Sequence, residues 1–159
     1  MAITDDAQLL EYLSVFPVDV QDRALWLRNF VWDRYPLCNE LVYDNYNALA
    51  FGWSITAKLS HTFCNVAIMR ANNHVVFGFY WGNHVPDPQN LLIGNGKQFR
   101  YFSVDNIAAV PETYLEELMR MAHAYSLSLV TAKDQHVEGS TIYKSVSPVK
   151  RATSKKIRK

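Results

Sequence analysis

Cysteine is scarce in this chain: Cys38 and Cys64 are its two representatives among 159 residues. Two thiols without a secretion signal read as reduced, buried side chains rather than as a disulfide framework. No early run joins a basic stretch to an apolar one, so a secretory leader is not expected. No apolar run approaches the ~20 residues that a membrane helix needs. These shortages point to a cytoplasmic protein with no membrane partner. Acidic residues are missing altogether after Glu138, while Lys144, Lys150, Arg151, Lys155, Lys156, Arg158 and Lys159 follow it. Seven of the sixteen cations lie in that stretch. The chain up to Tyr143 therefore carries nine basic against fifteen acidic residues, a net charge of −6. Such a body argues against specific nucleic-acid binding, which needs clustered Lys and Arg.

What is present suffices for a core. Hydrophobic residues make up 49% of the chain and aromatic residues 13%, which supports one domain of this length without staples. The pattern sets a single α+β domain over 1–130 and a flexible basic tail over 131–159, disordered from about Gly139 because it is polar and self-repelling.

Thr4 can cap a short helix running to about Phe16, where Pro17 stops it. Asp19 reads as the cap of a second helix, Val20 to about Arg34, with Val20, Ala24, Leu27 and Val31 as its apolar stripe. From Glu40 the hydrophobic period changes to two. Leu41–Tyr46, Ala48–Ile55, Thr62–Arg70, His74–Trp81 and Gln98–Val104 read as strands rich in β-branched and aromatic residues. Ala71-Asn72-Asn73 and Tyr46-Asn47 are hairpin connections, which implies antiparallel pairing. Pro111 opens a last helix with Leu115, Leu118, Met119, Ala122 and Tyr125 on its apolar face, ending near Leu129. The fold class expected is α+β, an antiparallel sheet of about five strands with two N-terminal helices and one C-terminal helix packed on it.

The densest backbone chemistry lies between the last two strands, from Pro86-Asp87-Pro88 through Leu91-Leu92-Ile93-Gly94-Asn95-Gly96-Lys97-Gln98-Phe99-Arg100. Together with Lys58-Leu59-Ser60-His61-Thr62-Phe63-Cys64-Asn65-Val66-Ala67 and His74-Val75-Val76-Phe77-Gly78-Phe79, this stretch resembles the bacterial YdhG-like family, a domain of unknown function. The likeness covers roughly residues 20–127. It implies a small α+β domain without an assigned activity, and one branch of the family implies frataxin-like intracellular iron delivery.

Gly94-Asn95-Gly96-Lys97 is not a Walker loop, since the spacer between glycines and the hydroxyl residue after Lys are missing. Gly94 and Gly96 would still let successive amides converge on an anion, with Lys97 and Arg100 adding charge and Asp87 bracing the turn. The alternative is a glycine turn leading into an edge strand. Lys58, His61 and Asn65 lie where a strand begins, and period two would place His61, Phe63 and Asn65 on one face bordering the same pocket. The alternative there is a polar sheet face or a hydrogen-bonded, half-buried His. Gly78 suggests close approach of a backbone or ligand to its face. The five histidines show no metal-ligand spacing. An iron carrier would have to use acids such as Asp5, Asp6 and Glu11 or Glu112, Glu116 and Glu117, runs that otherwise read as solvated helix faces. No catalytic residue, cofactor or metal ligand is assigned. The reading is a binding module for a small anion or metabolite, with an iron carrier and a plain structural or interaction domain as alternatives.

Overall fold

A computed structural model describes residues 7–153. The cap expected at Thr4 lies outside those residues. Helix α1 (Ala7–Leu13) buries Leu9 and Leu13. Helix α2 (Val18–Arg34) starts directly after Pro17, and no side chain caps it. Asp19 sits instead in its first turn, against the positive end of the helix dipole, and pairs with Arg23 at 3.2 Å. Strands β1 (Asn39–Asp44), β2 (Ala48–Ser54), β3 (Thr62–Met69), β4 (Val75–Phe79) and β5 (Arg100–Ser103) form an antiparallel run. Asn73, at φ 60°, makes the tight β3–β4 turn in the left-handed region that Asn tolerates. Helix α3 (Glu112–Leu129) follows, with Pro111 as its N-cap.

The sheet has six strands and is mixed, not five and antiparallel. Its order is β5-β4-β3-β2-β1-β6, and β6 (Thr141–Val146) runs parallel to β1. That strand lies in the stretch read from the sequence as a flexible tail. Its residues Thr141, Ile142, Tyr143 and Val146 have ordinary strand character. Sparse hydrophobicity hid it, since this edge strand rests on partners distant in sequence. The Asn39 side chain donates to the carbonyls of Val137 and Thr56 and accepts from the Ser140 amide. Thr141 Oγ1 donates to Glu40 at 3.0 Å.

One sheet face carries Val42, Leu49, Phe51, Trp53, Val66, Ile68, Phe77 and Phe102, which join a single core cluster with the buried residues of all three helices. Trp32 of α2 meets Trp53 edge-on at 6.2 Å. Within this layer Arg28 and Glu40, both without exposed surface, form a two-pronged pair at 2.7 Å for each bond. The opposite face carries Ala50, Gly52, Asn65, Ala67, Met69, Val76, Gly78 and Tyr101, none of them in that cluster. No described helix is long and apolar enough to cross a membrane.

Candidate functional site

The structure divides the sequence-derived candidates into three groups. Lys58 and His61 come together at one end of the sheet, around a residue the sequence did not single out. Lys58 Nζ donates to Asp134 Oδ1 at 2.5 Å, and His61 Nε2 stands 3.9 Å from Asp134 Oδ2. Thr56 Oγ1 lies 2.7 Å from the other His61 ring nitrogen, Nδ1. The Lys58 hydrogen bond, followed by one from the Thr131 amide, holds the Asp134 carboxyl down to about 2. Because these polar atoms partner one another, the cluster ties the segment after α3 to the sheet.

Asp87 does brace its turn. Its carboxylate accepts from the amides of Leu91 and Leu92 at 3.1 and 2.8 Å and from the Tyr114 hydroxyl of α3. Burial acts to raise its pKa, but those three donors outweigh burial and keep the group below its ordinary value. Beyond this brace the loop reaches Gly94, whose φ of 126° suits glycine alone, and Ile93 makes a short antiparallel bridge to Tyr101.

Arg100, half-buried, bonds back onto the loop. Its Nη1 donates to the carbonyls of Gly96 and Phe99 at 2.7 and 2.8 Å, and its stem lies against Gly82, where a Cβ would come within 2.4 Å of it. The partners of this guanidinium are thus carbonyl oxygens of the loop itself. Lys97 is exposed and joins no ion pair among the described residues. Gly96 has open space where a Cβ would stand.

Asn65 is separated from His61 and Phe63 by a bulge. The β2–β3 register shifts between Trp53 and Ser54, where Trp53 pairs with Cys64 and Ser54 with Thr62. The extra residue, Phe63, packs against Tyr35 and His123 on the helical side, while Thr62 and Asn65 both lie against Gly52. Period-two counting cannot see a bulge. Asn65 therefore stands in the middle of the helix-free face, with Gly52 on one side and Gly78 on the other. The close approach inferred at Gly78 is filled by Phe99: a Cβ there would fall 2.2 Å from the ring and 2.7 Å from Asn65 Oδ1.

On this face a groove of about 470 Å3 opens beside Phe99, lined by Met69, Val76, Ile93, Tyr101 and Ser103 with Asn72 and His74 at one end. Phe99 and Tyr101 stack at 6.0 Å along one wall. Its volume and apolar lining, with a few polar groups, match small-molecule sites. A larger hollow of about 540 Å3 between α2 and α3 differs in kind, because ion pairs line it: Arg34 with Glu116 and Arg120 with Glu117. Those acids belong to the set weighed for iron, and among the described residues no three His, Cys, Asp or Glu side chains converge to hold a metal ion. Met69, Val76 and Tyr101 escaped the sequence reading because sharing a groove depends on register across three strands. Compared with known proteins, the chain matches no family model, no curated protein and no solved structure.

Proposed function

We propose that this chain is a YdhG-like, cytoplasmic small-ligand binding module, and that its ligand is a metabolite-sized molecule with an apolar or aromatic body. The observation that carries the reading is the groove on the helix-free sheet face. Tyr101 of its aromatic wall stands on a strand fixed at both sides, by β4 and by the Ile93 bridge, and Phe99 stacks on it from the loop just before that strand. Rigid aromatic walls bind flat bodies with little ordering cost. The anion half of the reading finds less support, because Arg100 is already bonded to loop carbonyls and Lys97 does not line the groove. A thermal-shift screen against aromatic metabolites with and without carboxylate or phosphate tests the reading. At least one class should raise the melting temperature of the native chain, and Val76→Trp, which fills the groove, should abolish the shift. Shifts that persist in Val76→Trp would place binding elsewhere and end the proposal.

A further inference from the structure

Two buried polar atoms on the helix-free face have no hydrogen-bond partner. Asn65 Oδ1 is shut off from solvent and unpaired, and Thr62, 3% exposed, leaves its hydroxyl Oγ1 unpaired as well. Buried polar atoms are nearly always satisfied in folded proteins, so two residues beside one glycine that each carry such an atom ask for an explanation. Both side chains pack against Gly52, with Thr62 Cγ2 at 3.0 Å and Asn65 Cβ at 3.2 Å from where its Cβ would be. Glycines flank Asn65 in both neighbouring strands, so no side chain from Gly52 or Gly78 overhangs its amide. What covers Oδ1 is an aromatic ring, Phe99, lying over Gly78. Phe99 is also a wall of the groove, so the ring stands as a partition between the groove and Asn65.

We propose that Asn65 is the polar recognition element of this site, that Phe99 gates it, and that the ligand is a planar ring with an amide-like edge. This rests on the groove reading above. The side-chain amide of Asn offers one acceptor and two donors in a plane, the complement of an adjacent donor–acceptor pair on a cyclic amide, a carboxamide or a nucleobase. The tip of an aromatic ring already lies over the glycine, so the space suits another ring once Phe99 swings aside. The gate has a hinge: Phe99 lies between Gly94, at φ 126°, and the bridged Tyr101, and Gly96 meets nothing within 4 Å. On opening, the groove would run on to Asn65 Oδ1.

The test is an NMR titration of the native chain with nicotinamide, which carries a planar amide edge, and with indole, which does not. The Asn65→Leu variant removes the amide at nearly constant shape, and it should keep or raise the melting temperature because no bond is lost. Its affinity for nicotinamide should fall by about tenfold or more, the size of a lost hydrogen-bonded pair. Phe99→Ala should bind nicotinamide more tightly than the native chain, by about threefold or more, because the gate is removed while Tyr101, fixed between β4 and Ile93, remains as the wall. Equal nicotinamide affinity in Asn65→Leu and the native chain would overturn this inference, and loss of both probes in Val76→Trp would then leave the groove reading standing. A fall in the melting temperature of Asn65→Leu, or weaker binding by Phe99→Ala, would also overturn it. No binding of either probe by the native chain or Phe99→Ala would remove both readings together.

Discussion

Glu40 is a carboxylate with no exposed surface, and it survives there because Arg28 grips both of its oxygens. Desolvating two charges costs several kcal/mol each, and two-pronged geometry offsets that only while both partners remain. Arg28→Met should therefore cost about 3–5 kcal/mol in urea unfolding, while Arg28→Met combined with Glu40→Leu should recover most of the loss. A single variant as stable as the double would contradict the account. Gly78 carries a different constraint, the close seat of Phe99 over its backbone. Gly78→Ala should cost about 1–3 kcal/mol by overpacking. In a Phe99→Ala background most of that cost should vanish, and strict additivity of the two changes would show that the ring is not what Gly78 accommodates. The unpaired Asn65 and Thr62 atoms run the other way, since each costs about 1–3 kcal/mol that an apolar residue would avoid. Residues kept at a stability cost are where function is expected.

At the scale of elements, the segment after α3 is held by side chains more than by hydrophobic burial. Asn39 bonds Val137, Thr56 and Ser140, while Asp134 receives Lys58 and Thr131. Asp134, held at about 2 against an ordinary 3.8, gives stability that is complete above about pH 5 and lost as pH falls towards 2. Melting curves across that window should drop less steeply for Asp134→Asn than for the native chain. Parallel curves would mean that the Lys58–Asp134 contact contributes nothing. The strands β1 to β5 and helix α3 were legible in the sequence because alternation, Asn turns and Pro111 all agree there. Strand β6 was not, since what fixes Thr141–Val146 is pairing with Asn39–Asp44 about a hundred residues earlier. The bulge at Phe63 was equally hidden, and it decides that Asn65 lies on the face opposite Phe63.

At the scale of the whole molecule, a two-sided sheet is covered by helices on one side only. Burial drives the Cys38 thiol up to about 12 and the Cys64 thiol well above its ordinary 9. Both should stay inert to thiol reagents at pH 8 and react only as the chain unfolds, so labelling and loss of structure should follow one curve in urea. Labelling that runs ahead of unfolding would reveal a local opening of the helical layer. The helix-free side is where sequence reasoning went least far: Asn65, Asp87 and the glycine loop were visible, yet the groove needs Met69 of β3, Val76 of β4 and Tyr101 of β5 in one register. Methyl-detected NMR of the native chain during titration with a small aromatic binder tests the claim most directly. The account expects the methyls of Met69, Val76 and Ile93 to shift together while those of Leu27 and Val31, in the helical core, stay in place. Shifts clustered around Met119, beside the Arg34–Glu116 pair, with the groove methyls unmoved, would contradict it.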